Sequence, residues 1–314
     1  MEQTDSQHER IELTSRTPRA LLGDLQGALR TIYPEGEAQA MARRLVEARF
    51  NTPFYRFLLD GETPLDGAKL QGIGEDLARL LAHEPVQYVV GETGFCDLTL
   101  RVTPAVLIPR PETELLTLVL CRLYAQRAPH VLDIGAGSGA IAIALAKGLP
   151  YARVEAIDVS AEALAVAREN AARHGVEVNF NEMDVLSPMV RWPEGAWNLV
   201  VSNPPYIPAS REEQLAPNVT RYEPRGALYV PDDDPLLFYR AILQRAKSSL
   251  REGGMMAFEI DSDYNVQLFE LAKREGYGAV EVLNDFAEKP RFLLAAVAEE
   301  NGFVAEFKRI LESY

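Results

Sequence analysis

The sequence is poor in cysteine, has no long apolar run and carries no excess of positive charge. Its two cysteines, Cys96 and Cys121, form neither a metal-ligand pair nor a disulfide framework. That argues against a disulfide-stapled secreted scaffold and against a bound metal, and fits a reducing, cytoplasmic compartment. No stretch of about 18 consecutive apolar residues occurs, so no membrane-spanning helix is expected. Residues 1–17 are polar and mixed in charge, without the apolar centre of a secretory signal, and are expected to be disordered. The formal net charge is −14, and the deficit is shared: residues 1–104 carry 11 Lys and Arg against 16 Asp and Glu, residues 105–314 carry 21 against 30. Neither half offers the basic footprint that neutralises a nucleic-acid backbone, so no direct nucleic-acid contact is expected. Internal repeats and low-complexity segments are absent too. What is present is 314 residues, enough for two domains with separate cores.

From Pro18 to about Glu84 apolar residues recur at helical spacing: Leu22, Leu25, Leu29 and Ile32, then Met41, Leu45 and Ala48, then Leu70, Ile73, Leu77 and Leu80. The breaks fall at Pro34-Glu35-Gly36, Asn51-Thr52-Pro53 and Gly61-Glu62-Thr63-Pro64, with Thr63 a candidate N-cap. This predicts a small helical domain over 18–90, in which Arg43, Arg44 and Arg49 read as a solvated face and His83 as a structural histidine. After Gly91 the period becomes two, with Phe95, Leu98, Leu100 and Val102 on one face, which predicts a hairpin linker over 91–104. From 105 to 298 strands and helices alternate, the pattern of an α/β domain with a mostly parallel sheet of seven strands covered on both faces. The predicted strands are His130–Ile134, Val154–Val159, Val176–Asn181, Trp197–Val201, Met255–Ile260, Ala279–Leu283 and Phe292–Val297. A helix is expected from the Pro109-Arg110-Pro111 turn to about Tyr124, and others over Ala140–Gly148, Ala161–His174, Pro235–Leu250 and Tyr264–Arg274. The Asp232-Asp233-Asp234 run is expected to cap the helix near Pro235. Residues 299–314 form an amphipathic C-terminal tail.

Two stretches carry chemistry. Asp133-Ile134-Gly135-Ala136-Gly137-Ser138-Gly139 is a strand running into a glycine turn and then a helix, and glycines let the backbone come close to a bound ligand. Asp158 ends the next strand 19 residues beyond Gly139, where a carboxylate can accept both hydroxyls of a ribose. Asp184, followed by Val185, stands just after the third strand, where an adenine amino group would need an acceptor. Together they indicate a nucleoside cofactor. The third glycine comes one residue earlier than the dinucleotide pattern requires, which favours S-adenosylmethionine over NAD.

The second stretch, Ser202-Asn203-Pro204-Pro205-Tyr206, follows the apolar run from Trp197 to Val201 and so arrives at a strand's carboxyl end. Asn203 precedes proline and is pushed extended; Pro204 and Pro205 fix φ and lack N–H groups. The Asn203 side-chain oxygen and the Pro204 carbonyl could grip both hydrogens of a planar NH2 group with the Tyr206 ring over its face, or the segment could simply be a proline-rich loop ending a strand. Arg110, held between two prolines, could reach a carboxylate, either a ligand's or that of Glu112.

On these residues the chain resembles the class I S-adenosylmethionine-dependent methyltransferases, and its Asn-Pro-Pro-Tyr narrows the resemblance to amino or amide methylation. Pro104 to Glu114 and Tyr222-Glu223-Pro224-Arg225-x-Ala227-Leu228 are similar to segments of the glutamine N5-methyltransferases that act on the Gly-Gly-Gln loop of class I peptide chain release factors. The resemblance spans about Glu37 to Ala298. It implies a Rossmann-like fold, a substrate-recognition role for the helical domain, and a monomer methylating a release factor in translation termination. It further implies cofactor contacts from Asp133, Gly135, Ala136, Gly137, Ser138, Gly139, Asp158, Asp184, Val185 and Asn203. Substrate contacts and catalysis fall to Asn203, Pro204, Pro205 and Tyr206, with Arg110 adding a substrate contact. A ribosomal-protein glutamine, a nucleic-acid amino group and an NAD-dependent oxidation are the rival activities. The chain departs from the family pattern at Asp261-Ser262-Asp263-Tyr264-Asn265, where a glycine is usual, and at Glu288-Lys289, which replaces Gly-Arg.

Overall fold

The computed structural model describes residues 11–13 and 16–314. They group into two compact units: the chain up to Gly91 together with Ala216–Tyr222, and Glu92–Leu215 together with Glu223–Tyr314.

In the first unit five helices, Pro18–Leu29, Glu35–Phe50, Phe54–Leu59, Gly67–Leu81 and Val86–Val90, enclose one core. Leu21, Leu25 and Leu29 recur four apart, so they share one buried face. Ile32, expected to continue that face, and Ala48, expected beside Met41 and Leu45 on the second helix, are exposed. The third break ends later than expected: Asp66, not Thr63, caps Gly67–Leu81 by accepting the Ala68 N–H. Arg49 is not simply solvated either, because its guanidinium binds both oxygens of Asp76 at 2.5 and 2.8 Å and the Val89 carbonyl at 2.8 Å. Asp76 is buried, and a buried carboxylate requires such a partner. Of the segment expected to be disordered, residues 1–10, 14 and 15 lie outside the described residues, while Ile11 and Leu13 pack half-buried against the helical core. Gly74 makes room for them, since a Cβ there would stand 2.2 Å from the Ile11 carbonyl oxygen.

The second unit is built on a sheet of seven strands, β1 His130–Ile134, β2 Arg153–Asp158, β3 Asn179–Glu182, β4 Trp197–Ser202, β5 Leu250–Glu259, β6 Ala279–Asn284 and β7 Pro290–Ala296. Their order is β6-β7-β5-β4-β1-β2-β3, parallel except for β7, which runs antiparallel to both neighbours. Alternate residues feed two separate cores: Val131, Leu199 and Val201 face one, Leu132, Ile134 and Val200 the other. This apolar pattern on both faces is why the strands read as near-continuous hydrophobic runs. The hairpin Glu92–Phe95 and Leu98–Arg101 belongs to this unit.

One further expectation is corrected. The acidic run does not cap a helix at Pro235. The helix starts at Leu237, Asp232 accepts the Ser210 N–H, and Asp234 holds Arg240 at 2.6 and 2.8 Å. The C-terminal segment is amphipathic, as expected: Gly302–Leu311 is a helix capped by Asn301, and its Val304, Phe307, Ile310 and Leu311 are buried in the unit's core. Among the described residues no helix is long and apolar enough to cross a membrane.

Candidate active site

Strands β2 and β3 lie on one side of β1 and β4 on the other, so the winding reverses between β1 and β4, the point at which open α/β sheets bind ligands. The register pairs Ile134 with Ser202, so the residues that follow, Gly135 and Asn203, leave the sheet side by side. A Cβ on Gly135 would lie 3.9 Å from the Asn203 carbonyl oxygen. Ser202 stitches the two strands by donating to the Ile134 carbonyl at 2.7 Å. At this edge opens a cavity of about 350 Å³, within the range of small-molecule sites.

The glycine turn is held from β2. Gly135 and Ala136 donate to the Ile157 carbonyl at 2.8 and 3.0 Å, and Gly137 donates to Asp158 Oδ2 at 2.8 Å. Gly135, Gly137 and Gly139 all take positive φ. Of the turn, Gly135 and Gly137 line the cavity, whereas Ala136, Ser138 and Gly139 do not. Asp158 lines it with its carboxylate oriented, Oδ1 accepting the Ser160 N–H at 2.9 Å; a carboxylate still has lone pairs for two hydroxyls. Asp184, Val185, Asn203, Pro204 and Pro205 also face the cavity. These features fit a nucleoside.

Asp133 is not at the cavity wall. The two-residue period of β1 turns it, like Val131, toward the helix Ala140–Gly148, where Oδ2 accepts the Ala142 N–H at 3.1 Å. It is 1 % exposed, Oδ1 is buried without a hydrogen bond, and burial pushes the carboxyl up to about 7. Tyr206 is absent from the lining as well; its hydroxyl donates to Glu259 Oε1 at 3.2 Å. Arg110 does not bind Glu112: it binds Glu223 Oε1 at 2.5 Å, while Glu223 Oε2 accepts the Ile108 N–H at 3.0 Å. Glu223 is 4 % exposed, which is why the arginine is drawn to it.

Sequence reasoning missed Thr113 and Glu259. Asn203 Nδ2 donates to Thr113 Oγ1 at 3.0 Å, and Thr113 Oγ1 lies 2.5 Å from Glu259 Oε2. Glu259 ends β5 beside Asn203, since Phe258 pairs with Ser202. Burial raises its carboxyl above the usual range, opposed by the Thr113 and Tyr206 hydroxyls and by Arg291. An acid closing an apolar strand was the available signal. Among the described residues nothing donates to Asn203 Oδ1 or to the Pro204 carbonyl. At the departure from the family pattern, Asp261 and Asp263 both bind Arg211, at 3.1 and 3.0 Å. No group of three or more His, Cys, Asp or Glu among the described residues could hold a metal ion.

Known proteins match this arrangement. The model of the methyltransferase small domain family matches residues 113–221, and that of the PrmC N-terminal domain matches residues 21–91. The release factor glutamine methyltransferase of Bacteroides thetaiotaomicron is 37% identical over 273 residues, 86% of this chain and 97% of that protein. The one from Chlorobaculum tepidum is 41% identical over 244 residues, 75% of this chain and 82% of that protein. The catalytic domain of hMettl16, solved with the MAT2A 3'UTR hairpin 6, shares the fold at a TM-score of 0.52 and 14% identity, over 72% of this chain and 83% of that one. With relatives this similar over most of their length, the chain is a methyltransferase of the class I fold and belongs to the release factor glutamine methyltransferase family.

Proposed function

We propose that this enzyme transfers a methyl group from S-adenosylmethionine to the side-chain amide nitrogen of the glutamine in the Gly-Gly-Gln loop of class I release factors. The observation that carries this is the pair of unclaimed acceptors, Asn203 Oδ1 and the Pro204 carbonyl, beside the glycine turn. Gly135, Gly137, Asp158 and Asp184 would hold the cofactor, which supplies an electrophilic methyl on a positively charged sulfur.

A glutamine amide nitrogen is a poor nucleophile because its lone pair is delocalised into the carbonyl. Asn203 and Pro204 each accept one of its N–H groups, which turns the lone pair toward the cofactor side and favours a pyramidal nitrogen. Pro204 and Pro205 have no N–H to compete for those acceptors. Fixed alignment then supplies most of the rate by proximity. Glu259, the carboxylate next to Asn203, is engaged by Thr113 and Tyr206 and is not available as a base, so the released proton passes to solvent. In this reading the helical unit chooses the partner, and the enzyme works as a monomer in the cytoplasm, where its free cysteines stay reduced.

The test offers radiolabelled S-adenosylmethionine to purified release factor, ribosomal protein and RNA in parallel. Label should enter the release factor and vanish when the loop glutamine is changed to glutamate. Label that survives this change, or that enters one of the other acceptors instead, refutes the assignment.

A further inference from the structure

Asn203 can serve as an acceptor only if its oxygen, not its NH2, faces the cavity. An amide rotated by half a turn would set donor against donor and repel the incoming nitrogen, so something must fix the orientation.

We propose that Thr113 and Glu259 are positioning residues that hold the Asn203 amide with its oxygen toward the cavity. The inference deepens the proposed function and rests on Asn203 gripping the acceptor amide. It follows from counting one proton. Thr113 Oγ1 has two polar neighbours, Glu259 Oε2 at 2.5 Å and Asn203 Nδ2 at 3.0 Å. Glu259 faces two hydroxyl donors, Thr113 and Tyr206, and the charge of Arg291, all of which favour its ionised form. As a carboxylate it can only accept, an NH2 group can only donate, and a hydroxyl has a single hydrogen to give. Thr113 therefore gives its hydrogen to Glu259 and accepts from Asn203. The reverse orientation of the asparagine would bring its oxygen against a hydroxyl oxygen whose hydrogen is already committed.

The scaffold makes the hydroxyl hard to reorient. Thr113 is 5 % exposed in the first turn of the helix Pro111–Leu123, and its own carbonyl accepts the Thr117 hydroxyl at 2.8 Å. Glu259 is 1 % exposed; Tyr206 donates to its Oε1 at 3.2 Å, and Tyr239 donates to its backbone carbonyl at 3.0 Å. Helix, β4 and β5 thus converge on a single amide, and water has little room to substitute for a missing partner.

The experiment compares Thr113→Val, which keeps the shape and removes the hydroxyl, with Thr113→Ser, which keeps the hydroxyl. For each, kcat and KM are measured with the release factor, cofactor Kd by titration calorimetry, and folding by thermal melt. Thr113→Val should lower kcat about ten- to a hundredfold while KM and the cofactor Kd stay within about twofold, and Thr113→Ser should return kcat to within about threefold of wild type. Should Thr113→Val melt more than about 10 °C low, a sign of global disruption rather than a lost contact, Thr113→Ala is read in its place. The proposal is overturned if the variant without the hydroxyl turns over as fast as wild type, if cofactor affinity falls as much as kcat, or if serine fails to restore turnover. A wild-type enzyme that leaves the release-factor glutamine unlabelled overturns the functional reading and this proposal with it; normal labelling with an indifferent Thr113→Val overturns this proposal alone.

Discussion

Replacing Asp133 by asparagine should make the protein more stable at mildly alkaline pH, and by an amount that pH itself controls. Asp133 sits 1 % exposed behind the glycine turn, with one oxygen on the Ala142 N–H and the other without a partner. Burial, and to a smaller degree the charge of Asp158, pushes its carboxyl from 3.8 up to about 7. A folded-state value above the unfolded one means that the native protein binds the extra proton. That contribution is complete below about 3.8 and is lost as pH rises through about 7. At about 1.4 kcal/mol per pH unit across that window, the wild type should lose about 2 kcal/mol between about pH 5.5 and about pH 8 that a non-titrating side chain keeps. Asparagine has the same shape and can still accept from Ala142, so Asp133→Asn isolates the titration. Urea unfolding of both proteins without cofactor, at a series of pH values, reads the difference, and every other titrating group cancels between them. A gap that stays constant with pH, or a variant that is the less stable one at about pH 8, would refute a buried, proton-sharing carboxyl here.

Other outcomes follow from the same geometry. Asn203→Ala should lower kcat by about a hundredfold or more with cofactor Kd within about twofold, because the contact is aimed at the reacting nitrogen; equal losses in calorimetry would contradict that. Asp158→Ala should act in reverse, weakening cofactor binding about tenfold or more, since it removes both a ribose acceptor and the brace on Gly137; unchanged binding removes the assignment. Gly139→Ala should destabilise by about 2–4 kcal/mol, because the backbone sits at φ +80 and the new Cβ would meet Ile143 Cδ1 at 2.8 Å and Ala167 Cβ at 3.1 Å. An unaltered melting curve would show that the turn yields. Glu288→Gly should stabilise by about 0.5–1 kcal/mol in urea unfolding, since Glu288 holds φ +58 in an exposed turn; an unchanged or lower unfolding midpoint would show that the positive φ costs nothing there.

How far the sequence was legible depended on how local each signal was. Helices Ala140–Gly148 and Ala161–His174 fall where the pattern put them, because a glycine precedes the first and a serine caps the second within a few residues. The strand beginning at Leu250 was expected only from Met255, because its first five residues, Leu250 to Gly254, include two glycines and lack the apolar run that marks the rest of β5. The acidic run at 232–234 was misread because its carboxylates found Ser210 and Arg240, partners that local charge preference does not reveal. Arg110 illustrates the same limit: nothing near it in the chain announces Glu223, 113 residues away.

By itself the sequence determined the alternation of strand and helix, the glycine turn after β1, the acid closing β2 and the Asn-Pro-Pro corner closing β4. All of these are consequences of backbone stereochemistry and hydrophobic period acting over a few residues. Only the tertiary structure decided that Asp133 braces a helix from behind, that Arg110 belongs to Glu223, and that Thr113 and Glu259, 146 residues apart, meet at Asn203. The reason is physical: a buried polar group must find a complement wherever the fold brings one, and that choice is made by sheet order and register, which no local stretch of chain encodes.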